Sequence, residues 1–220
     1  MKTMPTKKIT ALAMLSALAF IAMAATRGLP PIVPMPPLRY DPKDVVITIG
    51  GFLYGPLAAF AVTLVVSVVE MLTVSTTGPI GLLMNVVSGS AFACTAALVY
   101  KYQRSLRGAV LGLAAAWLLT ALVMVLWNYL MTPVFMKVPR AAVVDMLLPV
   151  FLPFNLLKGG LNAAFTMLLY KPVKAALLAS RMIPPAEQGV KGKFNWGIVI
   201  VSVFAIGTCL LWALVLQGRL

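Results

Sequence analysis

Long runs of apolar residues recur along almost the whole chain, and each is at least close to the ~20 residues that an α-helix needs to cross a bilayer. The runs lie at residues 9–25, 45–73, 80–100, 111–131, 141–170 and 198–216. Only 10% of the residues are charged, whereas charged residues make up about a quarter of a typical soluble domain. The sequence therefore predicts an all-α polytopic membrane protein whose solvent is the lipid bilayer.

The run at residues 45–73 is long enough for two helices. Its interior contains helix-interrupting residues, namely Gly50, Gly51, Gly55 and Pro56, which predict a short helix ending at Tyr54 and a second helix over residues 57–71. Cytoplasmic loops of membrane proteins are rich in Lys and Arg. Two helices here place the basic segments 101–107 and 171–193 on the same side as the N-terminus. We therefore expect a cytoplasmic N-terminus, six spans up to Tyr170, and a seventh span with the C-terminus outside.

The first apolar run has two interpretations. Its basic start and the sequence Ala22-Met23-Ala24 fit a cleaved signal peptide. However, the run is longer than in most signal peptides, and Ala13 and Ala17 have the four-residue spacing that lets another membrane helix approach closely. We therefore favour an uncleaved membrane helix.

The composition excludes several kinds of function. Lys and Arg number 18 against 5 acidic residues, but most lie at the ends of apolar runs, where headgroups and topology explain them without nucleic acid. The chain has no histidine and no phosphate-binding GxxxxGK(S/T) motif, so we expect no enzyme activity, no metal site, no intrinsic cofactor and no ATP hydrolysis by this chain. Cys94 and Cys209 lie within apolar runs, which favours buried free thiols over a disulfide.

A proline-dense segment follows the first apolar run. Residues 27–44 contain five prolines that exclude a helix, Pro30, Pro31, Pro34, Pro36 and Pro37. We expect a loop whose Leu38-Arg39-Tyr40 sequence covers a pocket. The next four residues, Asp41-Pro42-Lys43-Asp44, predict a helix start with Asp41 as N-cap and Pro42 at the first helical position, so capping is the role expected of both aspartates.

The most informative segment is residues 147–166, because polar groups at membrane depth are costly and tend to be functional. Four polar side chains follow helical spacing and share one face: Asn155, Lys158, Asn162 and Thr166. A lysine at the centre of a membrane helix costs about 2.5–3.5 kcal/mol, so this face should line the interior of the bundle. We expect it to bind a ligand, with no acidic partner for Lys158. The alternative is that the asparagines join helices while Lys158 reaches the interface or pairs with Glu70.

Helix-weakening residues surround this polar face. Pro149 and Pro153 precede it and Gly159-Gly160 lie within it; irregular backbone is tolerated at membrane depth only next to protein or a cavity. Two further amides within spans, Asn85 and Asn128, are candidate ligand contacts. The aromatic neighbours of Asn128 fit an interfacial belt as well as a stacking role.

Four segments resemble the riboflavin S-component family of energy-coupling factor (ECF) vitamin importers: 40–56 (YDPKDVVITIGGFLYGP), 77–85 (TGPIGLLMN), 126–133 (LWNYLMTP) and 148–160 (LPVFLPFNLLKGG). The likeness extends over residues 9–173, and the Asn-x-x-Lys-Gly-Gly sequence is its most specific part. It implies a six-helix substrate-binding bundle at residues 1–179. After this bundle, the sequence predicts a polar cytoplasmic linker at 180–195 and one additional membrane helix at 196–220, which is not part of the six-helix bundle.

The resemblance also implies functional residues and partners. Asn155, Lys158, Gly159 and Asn128 would contact the flavin ring, while Asn85, Leu38 and Tyr40 complete the expected site. Ala13 and Ala17 would dock a membrane coupling subunit, which together with two ATPase subunits would energise riboflavin uptake across the cell membrane.

The chemistry of the pocket is consistent with riboflavin. Asparagine amides match the alternating donors and acceptors of the flavin pyrimidine edge, and an ammonium suits its C2 carbonyl and N1. A phosphate would call for more cations than one lysine. The alternatives are FMN, another vitamin or heterocycle, an intramembrane enzyme, and a scaffold that binds no small molecule.

Overall fold

The computed structural model describes residues 6–180 and 196–219. Its helices are α1 (Thr6–Thr26), α2 (Lys43–Tyr54), α3 (Pro56–Thr73), α4 (Gly78–Tyr102), α5 (Leu106–Met136), α6 (Arg140–Met146), α7 (Leu152–Ala179) and α8 (Trp196–Leu216), with a π-helical turn, Leu147–Phe151, between α6 and α7. The predicted all-α class is confirmed. Residues 181–195, which form most of the predicted linker, lie outside the described residues.

Helices α2 and α3 form an antiparallel pair, as the glycine and proline pattern predicts. Gly55 joins them with φ 94°, a conformation that glycine adopts without steric cost. Pro56 then begins α3, where its missing N–H is tolerated. An ion pair between Lys43 and Glu70 brings the start of α2 next to the end of α3.

Within residues 6–180 and 196–219, six helical stretches are long and apolar enough to span a membrane: α1, α3, α4, α5, α6 with α7, and α8. Helix α2 has 12 residues, or about 18 Å of helix, so by itself it is shorter than the hydrocarbon core. It is nevertheless central, because it packs against α1, α3, α4 and α7 and is almost entirely buried. A Cβ atom at Gly51 would lie 2.9 Å from the Cβ of Ala97, so glycine is needed for the close contact with α4.

Helix α1 is an integral part of the bundle. Its buried residues recur every four positions, at Ala11, Leu15, Ala19 and Met23, and this face packs against α2 and α3. The packing favours the uncleaved helix over the signal-peptide interpretation.

The backbone departs from α-helical geometry before α7 and not within it. The π-helical turn contains Pro149, and Pro153 follows it in the first turn of α7; neither proline can donate a backbone hydrogen bond. Helix α7 then continues through Gly159 and Gly160 to Ala179. The expectation that these two glycines disturb the helix is therefore wrong.

The additional C-terminal helix is present as α8. It packs along α7 and buries Ser202 and Ala213. Much of its remaining surface carries large exposed apolar side chains, including Val201 and Phe204, as expected of a surface that contacts lipid. Both cysteines are free thiols, as predicted.

Candidate functional site

The polar face of α7 points into the interior of the bundle, as the helical spacing of its polar residues predicts. Asn155, Asn162 and Thr166 are buried, and the Lys158 side chain is 14% exposed. A buried carboxylate lies next to this lysine, since Asp44 Oδ2 is 3.3 Å from Lys158 Nζ. The expectation that Lys158 lacks an acidic partner is therefore wrong, and so is its alternative pairing with Glu70. Asp44 comes from the first turn of α2, so the ion pair joins α2 to α7.

Polar contacts extend from this ion pair to the proline-rich loop, residues 27–42. Asn162 Nδ2 donates to Asp44 Oδ2 at 3.4 Å, and Tyr40 Oη donates to Asn162 Oδ1 at 3.1 Å. Burial, together with the nearby carboxylates of Asp41 and Asp44, raises the pKa of Tyr40, so its phenol keeps the proton that it donates. Tyr40, Asn162, Asp44 and Lys158 thus form one connected polar group.

Asp44 has a second role besides any stabilisation of the helix start. Its Oδ1 atom is buried and has no hydrogen-bond partner within residues 6–180 and 196–219. A Cβ atom at Gly89 would lie 3.1 Å from this oxygen, so α4 approaches it closely. Helix α2 begins one residue later than predicted, at Lys43, and Pro42 instead of Asp41 occupies the N-cap position. Asp41 still contacts the helix start, because its Oδ1 accepts the backbone N–H of Lys43 at 3.1 Å. Asp44 instead ion-pairs with α7.

Glu70 is the centre of a second group of charges. It accepts from Arg27 Nη2 at 2.8 Å, from Asn85 Nδ2 at 3.0 Å and from Lys43 Nζ. Lys43 also lies 2.9 Å from Asp41 Oδ2. Glu70 thus neither pairs with Lys158 nor faces solvent, and the amide of Asn85 is engaged by its carboxylate.

The two groups adjoin at the consecutive residues Lys43 and Asp44, and their charged members are here called the ion cluster: Arg27, Asp41, Lys43, Asp44, Glu70 and Lys158. The Arg27 side chain is 33% exposed, and the others are largely buried. The cluster contains three cations and three carboxylates, and each cation lies beside a carboxylate. The cluster connects the end of α1, the proline-rich loop, α2, α3 and α7. Burying a charge is costly unless it is paired, so this mutual pairing explains how six charges are accommodated.

The other expected ligand contacts make hydrogen bonds within their own helices. Asn155 Nδ2 donates to the Phe151 carbonyl at 2.7 Å, at the end of the π-helical turn. Asn128 Nδ2 donates to the Met124 carbonyl at 2.7 Å and its Oδ1 accepts from Thr132. Both amides are buried in α7 and α5 respectively.

Gly159 has a packing function that its sequence position did not indicate. A Cβ atom there would lie 2.3 Å from Cδ1 of Trp117 on α5. The indole Nε1 of Trp117 also donates to the Leu156 carbonyl at 2.7 Å. The glycine is therefore required for the close contact between α5 and α7.

Apolar residues form a wall next to this polar group. Leu38 and Tyr40 of the proline-rich loop pack against a buried cluster that includes Phe154, Leu157 and Leu161 of α7. Tyr40 also stacks on Phe165, with ring centroids 6.4 Å apart. The loop thus packs against α7 beside its polar face.

A separate apolar groove of about 620 Å³ lies between α1 and α3. Ala13 and Ala17 lie in its wall and are exposed, on the side of α1 opposite its buried face. The facing wall comes from α3 and includes Ala61, Val65 and Val69. The two alanines therefore belong to an open surface and not to the contacts within the bundle.

Four residues help to form the site although no sequence pattern indicated that role: Arg27, Lys43, Asp44 and Trp117. Lys43 is almost completely buried, and a charged pair directly before an apolar run is a signal that could have indicated it. No group of three or more His, Cys, Asp or Glu side chains that could hold a metal occurs in the described parts of the chain.

Comparisons with known proteins agree with this architecture. Residues 7–170 match the model of the family described as "ECF transporter, substrate-specific component". The riboflavin transporter RibU of Staphylococcus aureus is 30% identical over 171 residues, which cover 75% of this chain and 89% of that protein. The riboflavin transporter FmnP of Bacillus subtilis is 28% identical over 178 residues, covering 76% and 93% respectively.

A solved structure is also similar. It is described as the S component of a bacterial ECF transporter and superposes with a TM-score of 0.64 at 29% identity, covering 78% of this chain and 98% of that one. The family match ends before α8 begins. The chain is a multi-pass membrane protein that belongs to the family of substrate-specific components of ECF transporters.

Proposed function

We propose that this chain binds riboflavin and mediates its uptake as the S-component of an ECF transporter. Two relatives that align with about three quarters of the chain are riboflavin transporters. The observation that carries the proposal is the polar group at the centre of the bundle, in which Lys158 and Asn162 of α7 lie beneath Tyr40 of the loop. Such a site can hold a flat ring with one polar edge.

In the proposed complex, the flavin ring lies against the apolar wall with its pyrimidine edge towards α7. Asn155 and Asn128 can each donate and accept a hydrogen bond, and Lys158 donates. Gly159 would contact the ring through its backbone, because the Trp117 indole already occupies the space beside its Cα, while Leu38 and Tyr40 cover the ring. Asn85 acts on the site through Glu70 rather than by direct contact.

The ion cluster favours riboflavin over its phosphate ester. Each of its three cations already has a carboxylate neighbour among the described residues. A dianionic phosphate would therefore have to separate existing ion pairs, and breaking buried ion pairs is strongly unfavourable. Neutral riboflavin requires only that the Lys158 ammonium donate hydrogen bonds to both Asp44 and the ring.

Energy for uptake would come from other subunits, because the sequence has no phosphate-binding motif. A membrane coupling subunit would dock at the groove that contains Ala13 and Ala17, where small side chains permit close helix contact, and two ATPase subunits would complete the complex. The proposed orientation has a cytoplasmic N-terminus and the proline-rich loop on the outer side, from which the vitamin enters.

The binding proposal is tested by purifying the protein in detergent and recording its visible absorption, since bound flavin is yellow. Titration with quenching of riboflavin fluorescence then gives the dissociation constant. FMN, thiamine and biotin are titrated in parallel, the latter two by competition. Tightest binding of riboflavin supports the proposal. Tighter binding of another ligand would assign a different substrate, and no binding would favour a scaffold.

A further inference from the structure

Helix α8 lies outside the family match, which covers residues 7–170, yet it is packed against the part of the bundle that covers the candidate site. Its contact with α7 is close, because a Cβ atom at Gly160 would lie 3.3 Å from Cys209 Sγ. Ala213, one turn further along α8, is buried. The arrangement is that of a seventh helix docked on the substrate-binding bundle.

The C-terminal half of α8 contacts the proline-rich loop as well as α7. Trp212 and Leu216 pack against the buried cluster that combines Ile32 and Val33 of the loop with residues of α7. Leu38 and Tyr40 pack against this same cluster. Just after the end of α8, Gln217 Nε2 donates a hydrogen bond to the Pro31 carbonyl at 3.2 Å.

The loop has few internal contacts that could hold it in place. Its backbone forms one narrow turn, in which Ile32 N–H donates to Leu38 O at 2.8 Å and Leu38 N–H donates to Val33 O at 3.0 Å. Arg39 donates to the carbonyls of Arg27 and Leu29. Other contacts, such as the Arg27–Glu70 ion pair and the Tyr40–Asn162 hydrogen bond, tie the loop to the rest of the bundle. The free-energy cost of opening a segment rises with the contacts that it must give up, so the apolar and polar contacts from α8 add to the cost of lifting this loop.

We propose that α8 is a clamp that sets how fast ligand enters and leaves, with Trp212 and Gln217 as the positioning residues that hold the proline-rich loop over the site. The proposal rests on riboflavin binding as described above. Ligand must pass the loop in both directions. Gln217 bonds to the loop, and Trp212 packs against the cluster that includes Ile32 and Val33 of the loop. Because the loop covers the site both with and without ligand, the clamp slows entry and release alike and leaves the dissociation constant nearly unchanged.

The kinetic test uses the full chain with Gln217→Leu and, separately, Trp212→Ala. Stopped-flow quenching of riboflavin fluorescence gives the association and dissociation rate constants. Loss of one hydrogen bond should raise both rate constants about two- to tenfold, and Trp212→Ala should raise them further. The dissociation constant should stay within about twofold of the wild-type value, since both rates change together.

Two matched variants serve as controls. Phe204→Ala truncates an aromatic residue on the exposed face of the same helix and should leave both rates unchanged. Trp212→Phe keeps an aromatic ring in the cluster and should restore most of the slow kinetics. A weaker affinity that comes from faster dissociation alone would mean that α8 supports the pocket itself, and would overturn the clamp.

An independent measurement separates failure of the clamp from failure of the riboflavin proposal. Hydrogen exchange is followed without ligand in the peptide that contains the Ile32 and Leu38 amides. Both clamp variants should exchange at least several-fold faster there than the wild type, while Phe204→Ala should not. Unchanged exchange overturns the clamp. If the wild type binds no riboflavin, the substrate assignment fails and exchange alone decides whether α8 holds the loop.

Discussion

At the scale of single residues, the ion pair between Lys158 and Asp44 couples ligand binding to protein stability in any single substitution. A lysine within a membrane helix suggests a ligand because its charge is costly, but here a carboxylate 3.3 Å away already accounts for part of that cost. Truncating one member leaves the other buried and uncompensated. A loss of binding in a single variant would therefore mix lost ligand contact with lost stability.

A double variant separates the two effects. Lys158→Met leaves the Asp44 carboxylate without its cation, and removing one partner of a buried ion pair costs about 3–5 kcal/mol. Asp44→Asn combined with Lys158→Met removes both charges, so we expect it to recover most of the lost thermal stability. In both the single and the double variant, the affinity for riboflavin should be about tenfold to a hundredfold lower than in the wild type. Thermal unfolding and fluorescence titration in detergent give the two readouts.

Lys101→Met, at an exposed position on α4, is the matched control and should change neither quantity. Asn155→Leu should weaken binding to a similar extent as Lys158→Met. Wild-type affinity in both the double variant and Asn155→Leu would show that the polar face only joins helices.

At the scale of the helices, small residues determine which surfaces come together. Gly159 lets Trp117 of α5 lie against α7, whereas Ala13 and Ala17 are exposed and line an open groove. The same residue type thus serves contact within the bundle in one place and an exposed surface in another. Enlarging Gly159 should therefore lower stability, whereas enlarging Ala13 or Ala17 should leave it unchanged.

Gly159→Ala should destabilise the protein. Its methyl group would overlap the Trp117 ring, and overpacking of this kind costs about 1–3 kcal/mol. The measurement is the thermal unfolding midpoint in detergent. Gly207→Ala on α8 is the matched control, because a Cβ atom there meets nothing within 4 Å. Equal midpoints for both variants would contradict the packing role of Gly159.

Ala13→Trp and Ala17→Trp should block riboflavin uptake by cells while leaving binding to the purified protein unchanged. A large ring fills the groove and keeps a partner helix away, but it disturbs no buried contact of α1. Ile21→Trp, on an exposed position of α1 that does not line the groove, should allow uptake. Parallel loss of binding and uptake in the alanine variants would mean that this face supports the fold.

At the scale of the whole molecule, the positions of the helix ends are consistent with an odd number of membrane crossings between the start of α1 and the end of α8. Gln217, just after α8, bonds to Pro31, just after α1, so both helices end on the same side of the protein. Counting α2 as a crossing despite its 12 residues gives seven crossings and reproduces this arrangement. The segment 101–107 and the end of α7 then lie on the same side of the protein as the start of α1.

Cysteine labelling tests the orientation. In a background without Cys94 and Cys209, an impermeant thiol reagent added to intact cells should label Pro139→Cys, between α5 and α6, and not Gln103→Cys, between α4 and α5. Both positions are exposed. Permeabilised cells provide the control, since both cysteines should then react. Labelling of Gln103→Cys from outside would reverse the proposed orientation.

The sequence by itself determined the helices and the polar face of α7. Both depend on local pattern: runs of apolar residues must become helices in lipid, Gly55 and Pro56 end one helix and start the next, and helical spacing aligns Asn155, Lys158 and Asn162. Only the tertiary structure determined which charged side chains pair with each other and which helices contact the loop. The partners of Lys158 and Glu70 come from helices remote in the chain, and the contact of α8 with the proline-rich loop joins opposite ends of the sequence. Pairing across such distances follows from three-dimensional packing, in which a buried charge must find its counterion, and no periodicity in the sequence encodes it.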